Sequence, residues 1–320
     1  MSILGRFLNP LNNPQGFDPA RSISNFSSKV VIVTGGNAGV GKESVLQFAK
    51  HHPKKLYLCA RSQEKFDAAV ADIRTSVPDA RIQFLQLDLA SLASVAAAAQ
   101  KIIAENDRLD ILMNNAGIMC APHGVTAEGY EVHFGTNHMG HALLTRLLLP
   151  LLAKTSELPD ADVRIVNVSS VGHSLASKGI PFDSLKNANE SKHSLQLYGV
   201  SKLANILHAK QVAKLYPGIL TTSAHPGRTE TNLASDYKEA GSWTAKFFGL
   251  SDRLVRPLTA REGALCQLWS ALWPRDEIEN GGFFSPVGQP GGGSAKSNDM
   301  KLADDLWKWQ EIEFKTLGYI

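Results

Sequence analysis

The sequence predicts an α/β fold in which helices cover both faces of a doubly wound parallel sheet of about seven strands. Short runs rich in β-branched residues alternate repeatedly with longer helical segments, which is the pattern of successive β-α-β units. The strand segments are also almost continuously apolar, as expected where both faces of a sheet are buried. The predicted strands are 29–34, 56–60, 81–87, 109–114, 163–168 and 219–224, and the predicted helices are 41–51, 63–76, 92–105, 130–152 and 198–216.

One domain is predicted over residues 28–320, after an N-terminal arm of residues 1–27 that is rich in proline and asparagine. Inside this domain no change of composition marks a linker, and the sequence contains no internal repeat. The glycine-rich run 288–293 is predicted to be a plain surface loop.

Residues 232–260 depart from the alternation of strands and helices. Trp243, Phe247 and Phe248 lie there beside glycines, which predicts an apolar flap that covers a substrate. The alternative is that these aromatic side chains only pack the segment onto the domain.

Composition excludes several classes of protein. The net charge of +3 over 320 residues, without a dense lysine and arginine stripe, gives no support for nucleic-acid binding. No run approaches the ~20 apolar residues of an integral membrane span, and the first apolar run is too short for a secretory signal. Cys59, Cys120 and Cys266 are odd in number and far apart, so we expect buried thiols and a cytoplasmic location.

The first predicted strand runs directly into a glycine-rich turn and then a helix. Gly35, Gly39 and Gly41 let the backbone approach a pyrophosphate, and the helix N-terminus offers free N–H groups to it. A glycine-rich string alone is weak evidence, but the strand-turn-helix context is the one that a dinucleotide site needs. The segment therefore predicts a Rossmann-type nucleotide site.

Tyr198 and Lys202 are four residues apart at the start of a predicted helix, which places both on one face. Carbonyl reduction needs a proton donor at the oxygen, and a free tyrosine, with a pKa near ~10, releases its proton poorly in the reverse direction. A neighbouring ammonium favours the phenolate and is expected to lower the pKa of the tyrosine. The pair predicts an acid/base centre.

Three histidines cluster on one predicted helix. His138 and His141 have a spacing of three residues, and His133 is nearby, but no carboxylate or cysteine completes a set of metal ligands. We expect polar histidines on the helix surface and no metal.

The order of motifs resembles the short-chain dehydrogenase/reductase family, over roughly residues 28–285. After the glycine turn come an aspartate that follows the third strand, an Asn-Asn-Ala-Gly motif, a serine pair, the tyrosine and lysine, and a Pro-Gly motif. The retinol dehydrogenase-like branch, with its fungal relatives, is the most similar. The membrane-anchoring N-terminal helix of vertebrate members is absent, so retinol is not assigned as substrate.

This resemblance implies roles for individual residues. Asn137, Ser170, Tyr198 and Lys202 would be catalytic, with Ser170 orienting the substrate carbonyl and Asn137 holding a water in a proton relay. Tyr198 and Lys202 would also contact the cofactor. The other implied cofactor-binding residues are Gly35, Asn37, Gly39, Val40, Gly41, Arg61, Asp88, Leu89, Asn115, Ala116, Gly117, Pro226, Gly227, Thr229 and Thr231.

The residues at the end of the second strand indicate whether the cofactor is NAD(H) or NADP(H). Sites for NAD place an acidic residue there to bind the ribose 2′-hydroxyl, whereas this sequence has Ala60 followed by Arg61. A guanidinium suits a 2′-phosphate, and Lys42 in the glycine turn would add a second positive charge. NADP(H) is therefore predicted.

These observations predict an NADP(H)-dependent oxidoreductase that acts on the carbonyl or alcohol group of a lipophilic small molecule, such as an aldehyde, a ketone or a secondary metabolite. Two alternatives stay open: a dinucleotide-sensing protein without turnover, and a C=C or imine reductase that uses the same site. The resemblance implies a homodimer through the helices that precede and contain Tyr198, whereas a C-terminal extension that covers those helices would leave a monomer.

Overall fold

The computed structural model describes residues 11–22, 26–229 and 256–320. Eight strands lie within them: β1 Val30–Thr34, β2 Lys55–Ala60, β3 Ile82–Gln86, β4 Ile111–Asn114, β5 Arg164–Val168, β6 Leu220–Ala224, β7 Phe283–Ser285 and β8 Gln289–Pro290. They form one sheet in the order β3-β2-β1-β4-β5-β6-β7-β8. All neighbours are parallel except β7 and β8, so the fold is the predicted doubly wound sheet.

The sheet reverses its direction of winding next to β1. The chain builds β1, β2 and β3 outwards on one side and then returns to place β4 on the other side of β1. Val33 of β1 pairs with Leu58 of β2 and with Met113 of β4. Open α/β sheets bind ligands at the carboxyl ends of the strands at such a switch point. The loops that follow β1 and β4 are therefore the expected site.

Helices cover both faces of the sheet. The long helices are α1 Gly39–Ala49, α2 Gln63–Ser76, α3 Leu92–Glu105, α4 Gly140–Ser156, α5 Ser194–Leu215, α6 Ala260–Leu272 and α7 Met300–Thr316. The shorter ones are Pro19–Ser22, Val132–Phe134, the π-helical turn Gly135–Met139, and the 3-10 turns Val171–Leu175, Phe182–Ser184, Arg275–Glu277 and Lys296–Asn298.

Two apolar cores result, one on each face of the sheet. Ile32 of β1 points into the core that contains residues of α3, α4 and α5, whereas Val33 points into the core with residues of α1, α2 and α6. Both strand side chains have no exposed surface, which explains why the strand sequences lack alternation of polar and apolar residues.

All six predicted strands are present, and their ends differ from the prediction by at most two residues. The prediction of a plain loop at 288–293 was wrong, because Gln289–Pro290 forms the edge strand β8. Gly288, with φ +66°, packs against Trp269, and a Cβ at this position would lie 2.4 Å from Cε2 of that ring. Close packing, and not solvent exposure, accounts for this glycine.

The predicted helix 130–152 was wrong in its first part. Glu131 caps a single turn, Val132–Phe134, which continues into the π-helical turn before α4 begins. Gly135 permits this path, since a Cβ there would lie 2.2 Å from Cγ2 of Thr126. Such π-turns occur frequently at functional sites.

The described part of the N-terminal arm packs against α6. Phe17 is buried and its ring lies 6.1 Å from that of Trp273, edge to face. The indole nitrogen of Trp269 donates to Oε1 of Gln15 over 2.8 Å. The division into an arm of residues 1–27 and a domain of residues 28–320 stays a prediction.

The C-terminal helix α7 covers α5 and α4. Phe314 is 1% exposed, the hydroxyl of Tyr130 donates to Glu313 over 2.6 Å, and Arg146 of α4 pairs with Glu311 over 2.7 Å. As a result, almost every residue of α5 between Leu197 and Val212 is buried within a single chain.

Among the residues that the structure describes, no helix is long and apolar enough to cross a membrane. The three cysteines, all within the described residues, form no disulfide. Cys59 and Cys266 are buried as predicted, whereas Cys120 is only half-buried.

Candidate active site

The glycines of the turn between β1 and α1 occupy positions that do not suit a side chain. Gly35 and Gly39 have φ angles of +64° and +52°. A Cβ at Gly41 would lie 2.4 Å from both Nδ2 of Asn115 and the carbonyl oxygen of Gly35. Ala38 precedes α1 and its side chain provides no cap, so the first N–H groups of this helix are available to a ligand. These features fit a dinucleotide pyrophosphate.

Asn115 holds the loop after β4 against this turn. Its Nδ2 donates to the carbonyl oxygen of Thr34 over 2.8 Å, and the backbone N–H groups of Asn115 and Ala116 donate to the Thr34 hydroxyl over 2.9 and 3.0 Å. From the other side, Nε2 of Gln267 in α6 donates to Oδ1 of Asn115 over 3.1 Å and to Ser44 over 2.8 Å. No local signal in the sequence predicts this role of Gln267.

A cavity of about 570 Å³ opens along the carboxyl ends of the strands. The residues predicted for cofactor binding that line it are Gly35, Asn37, Gly39, Val40, Gly41, Arg61, Asp88, Leu89, Asn115, Ala116, Gly117, Tyr198, Lys202, Pro226 and Thr229. Lining residues without a sequence prediction are Ala38, Cys59, Ala60, Lys65, Leu87, Ala90, Ile118, Val132, Thr136, Val168 and Ser169. Gly227, with φ +81°, follows Pro226 but is not part of the lining. Thr231 lies outside the described residues, as does most of segment 232–260, including Trp243, Phe247 and Phe248.

The second positive charge near the end of β2 comes from a different lysine than predicted. Arg61 and Lys65 both line the cavity, and Ala60 at the end of β2 leaves that position without a carboxylate. The expectation that Lys42 adds the second charge was wrong, because its Nζ pairs with Asp72 over 2.6 Å and does not line the cavity. Lys65 belongs to the first turn of α2, which brings it to the same edge as Arg61.

Tyr198 and Lys202 lie one turn apart on α5, both almost fully buried. The helix begins at Ser194, one turn earlier than predicted, so the pair occupies its second and third turns. Nζ of Lys202 lies 5.6 Å from the ring centre of Tyr198 and donates to the carbonyl oxygen of Val168 over 3.0 Å. Both side chains therefore face the end of β5.

The pKa of the tyrosine moves in the opposite direction to the expectation. Burial raises the pKa of Tyr198 to about 12, and a hydrogen bond with Ser170 only partly opposes this. Burial also lowers the pKa of Lys202 to about 8. Desolvation is the largest cause of both shifts, because both side chains lie away from water. In the protein alone the tyrosine is thus a protonated donor at neutral pH.

Ser170 follows β5, and Gly172 lies close to both this serine and the ring of Tyr198. Its Oγ accepts the N–H of Gly172 over 3.0 Å and caps the turn Val171–Leu175. A Cβ at Gly172 would lie 3.1 Å from Cε1 of Tyr198 and 3.3 Å from Oγ of Ser170. The glycine therefore allows the serine and tyrosine hydroxyls to approach each other.

Asn137 lies in the π-helical turn, fully buried behind the cavity wall. Its Oδ1 accepts the N–H of Ile118 over 2.7 Å, and its Nδ2 donates to the carbonyl oxygen of Ile118 over 2.9 Å and to Ser201 over 3.0 Å. A Cβ at Gly117 would lie 3.2 Å from Oδ1 of Asn137 and 3.3 Å from Nζ of Lys202. Of the four predicted catalytic residues, Tyr198 and Lys202 line the cavity, whereas Asn137 and Ser170 lie next to the lining residues Gly117 and Tyr198.

The three histidines of this region are buried and not on a helix surface, so that expectation was wrong. His133 pairs with Glu131 over 2.7 Å, His138 lies 3.1 Å from Oδ1 of Asn205, and His141 contacts Thr34 and Asn137. Their separate partners do not converge on one point. Within the described ranges, no group of three or more His, Cys, Asp or Glu residues could hold a metal ion.

Known proteins are similar in sequence to this chain. The short chain dehydrogenase family model matches residues 29–241. A short-chain dehydrogenase/reductase, drtF, from Aspergillus calidoustus is 37% identical over 313 residues, covering 92% of this chain and 96% of the relative. Human retinol dehydrogenase 12 is 36% identical over 283 residues, covering 87% of this chain and 84% of the relative.

A solved structure also has a similar fold. An uncharacterized protein from Mycobacterium paratuberculosis superposes with a TM-score of 0.71 and 28% identity, covering 94% of this chain and 98% of that one. With its doubly wound sheet and glycine turn, the chain therefore belongs to the short-chain dehydrogenase/reductase family, in its retinol dehydrogenase-like branch.

Proposed function

We propose that the protein is an NADP(H)-dependent oxidoreductase that interconverts the carbonyl and alcohol forms of a lipophilic aldehyde, ketone or secondary metabolite. One observation carries the proposal: Tyr198 and Lys202 line the same cavity as the glycine turn, and Ser170 is hydrogen-bonded to the tyrosine. Family membership supports the reaction class.

The bound cofactor would supply or accept the hydride, and the side chains of this chain would handle the proton. Tyr198, protonated at neutral pH, donates its hydroxyl hydrogen to the carbonyl oxygen during reduction. Ser170, hydrogen-bonded to the tyrosine, orients that oxygen. Oxidation needs the phenolate, and Lys202 is the nearby cation that would stabilise it.

The choice of NADP(H) rests on the charges around the adenosine end of the cavity. Arg61 and Lys65 provide two cationic side chains next to Ala60, where an NAD site would have a carboxylate. A 2′-phosphate would be attracted by this pair, whereas the 2′-hydroxyl of NAD would find no acceptor at Ala60.

The lipophilic substrate class rests on two observations. The predicted flap of residues 232–260 contains four large aromatic side chains, including Trp243, Phe247 and Phe248. Human retinol dehydrogenase 12, whose name denotes a lipophilic alcohol, matches over 283 residues. Free cysteines support a reducing compartment, and we place the enzyme in the cytoplasm. A homodimer would need a face that α7 leaves open, because α7 lies on α5.

The test is NADPH consumption by the wild-type protein and the variant Tyr198→Phe with a panel of lipophilic aldehydes and ketones, with NADH in parallel. We expect the variant to lose turnover by at least about 100-fold while NADPH binding persists. Tyr216→Phe, at the end of the same helix, is the matched control and keeps full activity.

Other outcomes discriminate between the alternatives. Bound NADPH without turnover on any carbonyl, C=C or imine compound would indicate a dinucleotide sensor. Reduction of enones or imines alone would indicate the same site with different chemistry. Turnover that survives in Tyr198→Phe would contradict the proposed acid.

A further inference from the structure

We propose that His141 is a positioning residue that ties the dinucleotide turn to the catalytic asparagine through one fixed imidazole tautomer. Its two ring nitrogens connect the end of β1 with the π-helical turn. Nε2 lies 2.8 Å from the hydroxyl of Thr34, and Nδ1 lies 3.0 Å from the carbonyl oxygen of Asn137. The effect on turnover rests on the proposed function, whereas the effect on cofactor binding does not.

The hydrogens of Thr34 determine the tautomer. Its Oγ1 already accepts two backbone N–H groups, from Asn115 and Ala116. The hydroxyl hydrogen must then point to a further acceptor, and Nε2 of His141 at 2.8 Å is much closer than the carbonyl oxygen of Met113 at 3.4 Å. Nε2 is thus an acceptor, so Nδ1 carries the hydrogen and donates to Asn137. This single tautomer satisfies every group.

At the cofactor end, the contact fixes the loop after β4. Asn115 and Ala116 both line the cavity, and their N–H groups depend on the orientation of the Thr34 hydroxyl. At the catalytic end, Asn137 positions Ile118 through two hydrogen bonds and Ser201 through a third. Ser201 lies between the tyrosine and the lysine in the sequence of α5. A displacement of His141 therefore reaches both ends.

Burial of His141 makes the loss of either of its hydrogen bonds costly. His141 is 3% exposed, so water cannot replace either partner, and a lost hydrogen bond leaves a buried polar group unsatisfied. Burial also lowers the pKa of His141 to about 3, which keeps the ring neutral at physiological pH. A charged ring would donate from both nitrogens and would lose the acceptor that Thr34 needs.

Two substitutions separate the two halves of the link. In His141→Asn, the amide nitrogen can take the place of Nδ1, so the bond to Asn137 survives and the bond to Thr34 is lost. In His141→Gln, the amide oxygen can take the place of Nε2, so the bond to Thr34 survives instead. We expect His141→Asn to weaken NADPH binding about tenfold with kcat nearly unchanged, and His141→Gln to lower kcat about tenfold with Kd nearly unchanged.

His208→Gln is the matched control, because His208 is also a fully buried histidine but lies on α5 beside Trp307. It is expected to lower thermal stability while kcat and the Kd for NADPH stay within twofold. If both His141 variants behave like this control, or like each other, the inference is wrong.

A spectroscopic measurement tests the tautomer without turnover. Nitrogen NMR of 15N-histidine-labelled protein should show a neutral ring with the hydrogen on Nδ1 for His141, identified by its loss in His141→Gln. The isosteric variant Thr34→Val should change this signal and raise the Kd for NADPH about tenfold. An Nε2–H ring in the wild type would overturn the inference, even if no substrate is found. If the His141 variants do not fold, the tautomer of the wild-type ring still decides, because Thr34→Val identifies the signal by changing it.

Discussion

Lys202 directs its ammonium to the carbonyl oxygen of Val168, 3.0 Å away, while lying 5.6 Å from the ring centre of Tyr198. Burial shifts their pKa values in opposite directions, to about 8 for the lysine and about 12 for the tyrosine. The proposed proton donor, Tyr198, is therefore held in its protonated form, and burial of the positive charge of Lys202 costs stability. The first prediction follows from that cost.

Lys202→Met should stabilise the protein at pH 7 while it abolishes turnover. The pKa of Lys202 falls from its ordinary 10.5 to about 8 on folding, so the unfolded chain binds more protons between these values and stability rises with pH there. Below pH 8 the buried charge costs at most about 3 kcal/mol. We expect the variant to gain ~1–2 kcal/mol in urea unfolding at pH 7, after the loss of the bond to Val168.

The exposed Lys214→Met, on the same helix, is the control and should change stability by less than about 0.5 kcal/mol. The advantage of Lys202→Met should disappear as the pH approaches 10.5. A destabilised variant at pH 7 would show that the lysine contributes more by its contacts than its burial costs.

Arg61→Ala and Lys65→Ala should each weaken NADPH binding about tenfold and leave NADH binding unchanged, because only NADPH presents a 2′-phosphate to these side chains. Fluorescence titration of the nicotinamide measures both constants. Lys42→Ala removes a charge of the same sign that pairs with Asp72 instead, and it should have no effect on the preference. Equal losses for the two cofactors would contradict the assignment.

Gly41→Ala should lower NADPH affinity more than tenfold and destabilise the protein by ~1–3 kcal/mol, because the added Cβ meets the backbone of Gly35 and the amide of Asn115. Gly124→Ala is the control, since a Cβ there has no atom within 4 Å. Thermal unfolding with and without NADPH reports both effects. A Gly41→Ala protein with normal affinity would show that the turn can shift without affecting the ligand.

Phe314→Ala should destabilise the protein by ~3–4 kcal/mol, because its ring fills the core under α7. Ile312→Ala on the same helix should cost less than about 0.5 kcal/mol, since that side chain is 63% exposed. Denaturant unfolding of the pair measures the difference. If Phe314→Ala costs as little as Ile312→Ala, the packing of α7 contributes little to stability.

Local chemistry explains which elements were predictable. The predicted bounds of α2 and α3 agree with the structure, because Ser62 and Ser91 cap these helices within the same short segment. The strands agree within two residues, since burial on both faces leaves a continuous apolar run in the sequence. The glycine turn was also predictable, because the glycines that its backbone conformation requires lie close together in the sequence.

Contacts between distant segments explain the rest. Lys42 reaches Asp72, Gln267 reaches Asn115, and the π-helical turn depends on the packing of Gly135 against Thr126. None of these leaves a periodic or local pattern in the chain. The histidines illustrate the same limit, because α7 and the sheet bury a segment whose composition indicates a surface.

The amino-acid sequence thus determines the fold class, the glycine turn and the position of Tyr198 and Lys202 on one helix face, since each depends on residue spacing within a few turns or on apolar runs. Only the tertiary structure decides the direction of the pKa shift at Tyr198, the presence of both Lys65 and Arg61 in the cavity lining, and the contacts of His141 with Thr34 and Asn137. These depend on desolvation and on hydrogen-bond geometry, which arise only when segments far apart in the chain exclude water together.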